Sequence, residues 1–333
     1  MLTTADITRV LRYYDLGTLD RVSRVRYGYV NETVVIQTSC GCYVLRRNHR
    51  RFSLEAICRR HELIAWLRVH GFPAPTLIPT CSGSTILTLD NRSYEIHAYV
   101  EGDDYDPDRP RQLTSIGATL ARYHRVVQGF DMPASAPRYS PYTVLARVEQ
   151  LLERDVMGDL RDSLAWYSMR ATQLRRRLPD MLYSSLPHLV IHGDIHGDNL
   201  RFKNNQVVAL FDYDQATRDA RLVDVADALV GFATEPAKDF MWGTFAGPLC
   251  MERVIYLLMA YSAVEPFTTD EITALPMLVE LLWLQGELGR VLSTPEGAPD
   301  YHLSVLDQGH LLSDWMGEHG VEIVTSLKTT QAQ

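Results

Sequence analysis

Carboxylate and amide side chains cluster in one short polar segment that lies between apolar stretches of the chain. Asp194 and Asn199 have four residues between them, and Asp212 follows after a short hairpin-like stretch. Phosphoryl transfer from ATP needs a carboxylate that orients the attacking hydroxyl group and accepts its proton. It also needs oxygen ligands that hold magnesium against the phosphates. Asp194 has the type required of the carboxylate, and Asn199 and Asp212 have the types required of the metal ligands.

The spacing supports this interpretation. An Asp and an Asn with four intervening residues match the kinase catalytic loop, and a second Asp after a hairpin matches the remaining metal ligand. Asp and Asn in a loop are more often turn and capping residues, which is the alternative. Three features together favour catalysis: an apolar strand precedes the loop, His192-Gly193 precedes Asp194, and a second carboxylate follows the hairpin.

Short strands and long helices must position this segment. Apolar residues 189–191 predict a strand before it, and residues 200–202 and 207–211 predict a hairpin after it. Helical periodicity covers 113–127 and parts of 142–178 and 251–292, whereas residues 328–333 are expected to form a frayed tail.

The first hundred residues are predicted to be strands with one helix among them. Residues 30–38 and 42–46 predict one hairpin, and residues 85–89 and 94–100 predict another around Asp90-Asn91. Between them, Ser53 is a candidate N-cap of a helix that ends at Gly71. A polar stretch from Glu101 to Pro110 is the expected linker.

The catalytic segment resembles the signature of the aminoglycoside phosphotransferase and choline kinase superfamily. The similarity rests on His192-Gly193-Asp194 with His196 and Asn199, on the position of Asp212, and on the downstream element 223–227. It implies an α+β, bilobal, protein-kinase-like fold. Residues 1–100 would form a small antiparallel-sheet lobe with one main helix that covers the nucleotide. Residues 101–333 would form a larger, mainly helical lobe with the catalytic loop and the metal and substrate site.

The resemblance also implies nucleotide-binding residues in the first lobe. Gly28 and Asn31 lie in a segment similar to the family's phosphate-covering loop. Arg46 stands where kinases carry the strand lysine that holds the α and β phosphates, although the basic run 46–51 could instead be a solvated loop. Glu62 is similar to the helix carboxylate that pairs with that lysine, and its alternative is an exposed charge on a helix face.

Four further residues receive supporting roles from the same resemblance. His192 and Asp224 are expected to be structural, bracing and packing the catalytic loop. His196 could brace this loop or contact the substrate. Asp214 is close enough to Asp212 to share its metal ion or to repel it.

The substrate is expected to be a small molecule with a hydroxyl group, and ATP and Mg²⁺ are the expected cofactors. Diffuse similarity favours the type II homoserine kinase branch, whose substrate also carries an ammonium and a carboxylate group. Candidate partners for those two groups are the following: Glu101, Asp103, Asp104 and Arg290. Alternatives of the same fold are an amino-sugar or aminoglycoside kinase and a stress-response protein kinase. Arg46 also motivates an inactive nucleotide-binding module.

Composition excludes several other classes. The 333 residues carry 33 Lys and Arg against 41 Asp and Glu, a net charge of −8, which has the wrong sign for binding nucleic acid through bulk charge. No apolar run is long enough to cross a bilayer. Five cysteines without a disulfide-like pattern, and a start that lacks signal-peptide features, predict a cytoplasmic protein with reduced thiols. We expect a monomer or a homodimer.

Overall fold

The computed structural model describes residues 2–24, 30–133, 136–155, 158–234, 248–294 and 299–331. The elements of the first half are α1 (Thr4–Leu11), β1 (Leu19–Arg24), β2 (Glu32–Thr38), β3 (Gly41–Arg47), α2 (Leu54–Val69), β4 (Leu77–Ile78), β5 (Leu87–Leu89), β6 (Arg92–Ala98), α3 (Pro110–Val127) and α4 (Pro141–Arg154). The remaining elements are α5 (Arg161–Arg177), α6 (Asp180–Ser185), β7 (His188–Ile191), β8 (Leu200–Lys203), β9 (Gln206–Leu210), β10 (Thr217–Ala220), α7 (Leu222–Ala233), α8 (Met251–Ser262), α9 (Thr269–Ser293) and α10 (Pro299–Gln331).

The chain divides into two compact units. The smaller unit contains residues 1–105 together with 198–214, and the larger unit contains residues 106–197 and 215–333. The division implied by the family resemblance places the whole of 101–333 in one lobe. In the structure, the segment 198–214 packs with the smaller unit. The functional division at residue 100 remains a prediction.

The smaller unit is built on an antiparallel sheet with the strand order β1-β2-β3-β6-β4, and β5 also pairs with β6. Its apolar cluster includes Ile7 and Val10 of α1 together with Ile36, Leu45 and Ile96 of the central strands. This burial removes alternate side chains of each strand from water, which fixes the register of the sheet.

Local sequence signals explain the hairpins and the helix of this unit. Asp90 and Asn91 have φ values of 49° and 60°, the left-handed pair that a tight hairpin turn requires. The Ser53 side chain accepts a hydrogen bond from the Ala56 amide and begins α2, and Gly71, with a φ of 72°, follows its end. Both predicted hairpins and the predicted helix are therefore confirmed.

The hairpin β8–β9 packs with the smaller unit through backbone hydrogen bonds. Asp103 and Phe202 exchange a pair of them at 2.7 and 2.9 Å, and the Leu210 amide donates to Pro73 O at 2.9 Å. A Cβ on Gly102 would lie 2.8 Å from Phe202 O, so only glycine permits this approach.

The larger unit is mainly helical, as predicted. Helix α9 is buried along most of its length and packs against α4, α5, α6, α7 and α10, while α3 packs against α8. A two-stranded antiparallel pair, β7 with β10, leads into the predicted catalytic loop. Within the described residues, no helix is sufficiently long and apolar to cross a membrane. The five cysteines are all free thiols.

The elements that were not predicted from the sequence include α1, β10 and α10. Helix α1 is only eight residues long and is started by a capping box of Thr3 and Asp6. Strand β10 is polar and forms through its pairing with β7. Helix α10 extends to Gln331, so the predicted frayed tail is wrong for residues 328–331. The His and Gly residues between its apolar positions obscure the helical period.

The close packing of α3 on α8 depends on Gly117. A Cβ at this position would lie 2.3 Å from Leu257 O, a backbone atom that cannot rotate away. Gly117→Ala is expected to lower the free energy of unfolding by about 1–3 kcal/mol. Gly286→Ala in α9 is the matched control: its Cβ meets nothing within 4 Å, and the change should raise stability by about 0.5–1 kcal/mol. Urea unfolding measures both, and equal stability of the two variants would contradict the packing argument.

Candidate active site

The catalytic loop follows β7 in the larger unit, and a buried carboxylate holds its backbone. Asp224 of α7 is fully buried, and its two oxygens accept hydrogen bonds from the His192 and Gly193 amides at 2.7 Å each. His124 Nε2 lies 3.0 Å from Asp224 Oδ2, and its Nδ1 lies 2.7 Å from the Tyr261 hydroxyl. Burial would raise the pKa of Asp224, but these partners bring it below its ordinary value. Asp224 is therefore an ionised anchor of the loop.

Asp194 lies next in the chain and is exposed enough to meet a substrate. Its side chain is 40% exposed, and its Oδ1 lies 3.6 Å from His196 Nε2. The Asp194 amide donates to His192 Nδ1 at 3.3 Å. Burial would raise the pKa of Asp194, but His196, with smaller contributions from His192 and Arg138, lowers it below its ordinary value. The carboxylate is therefore ionised at neutral pH and can accept a hydrogen bond from a hydroxyl group.

Asn199 and Asp212 lie at the two ends of the hairpin β8–β9 in the smaller unit. Leu200 pairs with Leu210, and the Phe211 amide donates to Asn199 O at 2.8 Å, so the hairpin brings the two residues to neighbouring positions. Asn199 is buried. The Asp212 side chain is 40% exposed, and its backbone has a φ of 60°, a conformation that a non-glycine residue rarely adopts.

This donor set fits magnesium. A carboxylate and an amide oxygen are hard ligands, and Mg²⁺ binds proteins through one or two carboxylates while keeping water and phosphate oxygens. Such a site has few protein ligands. The described part of the chain contains no group of three or more His, Cys, Asp or Glu residues arranged as a metal cage.

Arg46 belongs to a buried cluster of charges in the smaller unit. Its guanidinium forms ion pairs with Glu95 of β6 at 3.7 Å, with Asp212 at 3.4 Å, and with Asp214. Arg60 of α2 also binds Glu95 and Asp214. Arg46 is therefore not part of a solvated loop, which was the alternative to its phosphate-binding role.

Glu95 and Asp214 each receive additional donors. His61 and His97 lie 2.8 and 3.1 Å from the Glu95 carboxylate, and Asn31 Nδ2 donates to Asp214 at 2.7 Å. Burial would raise the pKa of Glu95, but the adjacent Arg60 and the two histidines hold it well below its usual range. Because Asp214 already binds two guanidinium groups and an amide, its carboxylate is occupied by protein donors.

Of three further first-lobe residues that the family resemblance indicated, the structure describes Glu62 and Asn31. Glu62 lies on the exposed face of α2, and among the described residues Arg46 pairs with Glu95 and not with Glu62. This corrects the expected pairing of Glu62 with the cation at position 46, because the same turn of α2 directs Arg60 and His61 inward. Gly28 lies outside the described residues, whereas Asn31 is buried and binds Asp214.

Three residues near Asp194 were not found from the sequence. Arg138 Nε donates to the Tyr139 hydroxyl at 3.3 Å, and this hydroxyl donates to Asp227 Oδ1 at 2.8 Å. Asp227 Oδ2 is buried and has no hydrogen-bond partner within the described residues. Arg138 and Tyr139 lie in a loop without a motif, and the repeat Asp-Val-Ala-Asp at 224–227 was the one available signal.

The burial of Asp227 predicts a dependence of stability on pH. Burial raises the pKa of Asp227 to about 7, against the opposing charge of Arg138. In the unfolded chain this pKa is about 3.9, so the native state binds the proton more tightly. The stabilisation from this proton is complete below about pH 4 and is lost as the pH rises through about 7.

Asp227→Asn should therefore become more stable relative to the wild type as the pH rises from 4 to 7, by up to about 1.4 kcal/mol per pH unit. Urea unfolding of both proteins at pH 4, 5.5 and 7 measures this difference. Glu287, whose pKa burial also raises to about 7, titrates in both proteins and cancels. A difference that does not change with pH would contradict the predicted titration.

Comparisons with known proteins agree with this geometry. Residues 21–253, more than half of the chain, match the phosphotransferase enzyme family APH. The chain is 26% identical over 301 residues to a homoserine kinase of Sinorhizobium medicae (strain WSM419), with 89% of this chain and 87% of the relative covered.

Solved structures share the fold. An amicoumacin kinase, hAmiN, in complex with AMP-PNP, Ca²⁺ and Ami superposes with a TM-score of 0.68 at 14% identity, covering 92% of this chain and 93% of the other. A microcompartment-associated aminopropanol kinase superposes with a TM-score of 0.66 at 16% identity, covering 96% and 98%. The expected kinase-like α+β fold is confirmed. The chain therefore belongs to the phosphotransferase enzyme family APH and is a small-molecule kinase of that family.

Proposed function

We propose that the enzyme transfers the γ-phosphate of MgATP to the primary hydroxyl group of homoserine. The observation that carries this choice of substrate is the similarity to homoserine kinases, which extends over 89% of the chain and so includes residues of both units. Homoserine presents a hydroxyl group for Asp194 and two further charged groups that a kinase pocket can distinguish.

Asp194 acts on the hydroxyl group in this proposal. Its carboxylate is ionised, and its backbone is fixed because Asp224 holds the two preceding amides. A fixed carboxylate can accept the hydroxyl proton as the oxygen attacks phosphorus, and most of its contribution is to orient the nucleophile. His196 lies 3.6 Å from the same carboxylate and supports its ionised form.

Asn199 and Asp212 would hold Mg²⁺ through their side-chain oxygens. The ion, when bound, neutralises charge on the β- and γ-phosphates. Asp212 is presented in a left-handed backbone conformation at the end of the hairpin and is the more exposed of the two ligands. Strain of this kind is maintained where the surrounding structure fixes the backbone.

Arg46 would bind the phosphate groups in place of the usual lysine. To do so, its guanidinium has to exchange a carboxylate partner for a phosphate oxygen. Arg60 makes this exchange less costly because it remains bound to both Glu95 and Asp214, so neither buried carboxylate is left without a cation. Arg is suited to this site because it stays charged in a buried environment and can bind phosphate through two nitrogens.

Asp194→Asn should lower kcat for homoserine phosphorylation by at least ~100-fold, because the amide cannot accept the hydroxyl proton. The KM for ATP should change little, since the substitution keeps the shape of the side chain. A coupled assay of ADP release measures both values, and Asp162→Asn, an exposed position on α5, is the control.

The assay panel includes amino sugars, aminoglycosides, choline and a generic protein substrate. A higher kcat/KM for one of these than for homoserine would overturn the substrate, and unchanged kcat in Asp194→Asn would overturn the role of Asp194.

Asp212→Ala should remove the magnesium dependence of nucleotide binding. Calorimetric titration with ATP, in Mg²⁺ and in EDTA, should show at least ~10-fold weaker binding than the wild type in Mg²⁺ and similar binding in EDTA. Asp20→Ala on β1 removes an exposed carboxylate of the same unit and should match the wild type. Wild-type affinity of Asp212→Ala in Mg²⁺ would assign the metal to other ligands.

A further inference from the structure

Arg138 lies directly against the catalytic loop of the larger unit. A Cβ on Gly193, the residue before Asp194, would lie 3.1 Å from Arg138 Nη1 and 2.7 Å from Gln215 O. Gly193 also has a φ of 75°, so glycine is favoured here both by its backbone conformation and by the closeness of the guanidinium group. The loop therefore has no side chain at the point where Arg138 approaches it.

The position of Arg138 is fixed from several directions. Its amide donates to Asp219 Oδ2 at 2.8 Å, and its carbonyl oxygen accepts from Gln285 Nε2 at 2.9 Å. Its Nε donates to the Tyr139 hydroxyl, which in turn donates to Asp227. A side chain held at its backbone and at its Nε is preorganised, so it loses little conformational freedom when it binds a ligand.

The terminal nitrogens of Arg138 remain available. Within the described ranges, neither Nη1 nor Nη2 has a hydrogen-bond partner, and no carboxylate lies within ion-pair distance of the group. Burial would lower the pKa of Arg138, but Tyr139, Asp227 and Asp194 raise it, so the group keeps its charge. A guanidinium group whose position is fixed, and whose terminal nitrogens have no partner among the described residues, is suited to bind an anion from outside the protein.

We propose that Arg138 binds the carboxylate of the substrate and makes the enzyme prefer hydroxy amino acids to amino alcohols, an inference that rests on the proposed function. The planar guanidinium matches a carboxylate through two parallel hydrogen bonds. Asp194 places a negative charge near it, and Asp227 adds to that charge as the pH rises through about 7, which disfavours a substrate that is purely anionic. The ammonium group of an amino acid offsets that charge, so the arginine and the two carboxylates together suit a zwitterion.

The structure therefore gives the carboxylate-binding role to Arg138 in preference to Arg290. Arg290 lies on α9, and its guanidinium is directed at a protein side chain, the buried Glu287, at 3.3 Å. Arg138 lies instead against the residue that precedes Asp194. A short substrate such as homoserine, which has a four-carbon backbone, needs its carboxylate partner close to the catalytic carboxylate.

Two substrates that differ only in the carboxylate test the proposal. L-Homoserine and 3-amino-1-propanol share the hydroxyl group, the amine and the carbon chain between them. In Arg138→Gln, we expect kcat/KM for L-homoserine to fall ~10–100-fold, mainly through KM, because one charge-assisted pair is lost. The Ki of 3-amino-1-propanol as a competitor of L-homoserine should change less than ~3-fold, and this measurement does not require that the amino alcohol is phosphorylated.

Further variants separate a specific effect from a structural one. Arg138→Lys should recover part of the loss in KM because it restores the positive charge. Tyr139→Phe removes the hydroxyl that holds Nε and should raise the KM for L-homoserine by less than Arg138→Gln does. Arg122→Gln, at an exposed position of α3, is the control. The KM for ATP should be unchanged in every variant, which shows that the enzyme is folded.

The outcomes distinguish this proposal from the proposed function. An equal loss for both compounds would overturn carboxylate binding, because the two compounds share only the amine, the hydroxyl group and the carbon chain. A loss in kcat alone would also overturn it and would indicate that Arg138 stabilises the transferred phosphoryl group. A wild type that uses L-homoserine, with no change of preference in Arg138→Gln, would overturn this proposal and leave the proposed function standing. A wild type that prefers a substrate without a carboxylate would overturn both.

Discussion

The buried carboxylate of Asp224 fixes the backbone of the loop that is proposed to carry catalysis in the larger unit. An ionised carboxylate in a protein interior is costly unless several donors satisfy it, and here two backbone amides and a histidine do so. The same bonds fix the backbone of His192 and Gly193, which lets Gly193 keep its left-handed conformation beside Gln215. The loop is thus fixed by an anion outside the proposed catalytic set, and the Asp194 side chain that follows stays partly exposed.

In the smaller unit, the buried charged groups that need partners include two arginines. A kinase must keep a positive group where the phosphates bind, and a buried guanidinium needs carboxylates when no nucleotide is present. Arg46 shares Glu95 and Asp214 with Arg60, so each of these two buried acids contacts two guanidinium groups. In the proposed exchange of partners by Arg46, Arg60 stays in contact with both acids, which is a physical reason for an arginine in a position where a single lysine is usual.

The sequence predicted those features that depend on local chemistry and spacing. The loop from Asp194 to Asn199, the hairpin before Asp212 and the capped helix at Ser53 each have a signal confined to a few residues. The partner of Arg46 could not be predicted in this way, because Glu95 lies on a distant strand and the turn of α2 that contains Glu62 buries Arg60 and His61. Arg138 was missed for a different reason: it acts through residues distant in the chain, and nothing in its own neighbourhood marks it.

The net charge of −8 says little about either site, because opposite local charges are concentrated in different parts of the chain. The smaller unit gathers Arg46 and Arg60 around buried acids, which suits phosphate. The larger unit surrounds one arginine with Asp194 and Asp227, which suits a substrate that carries both an amine and a carboxylate. Phosphoryl transfer needs both environments, since the phosphate donor is an anion and the acceptor hydroxyl must lose a proton. On the proposal for Arg138, selectivity for a zwitterion requires no additional domain, because one fixed guanidinium beside the proposed catalytic carboxylate distinguishes an amino acid from an amino alcohol.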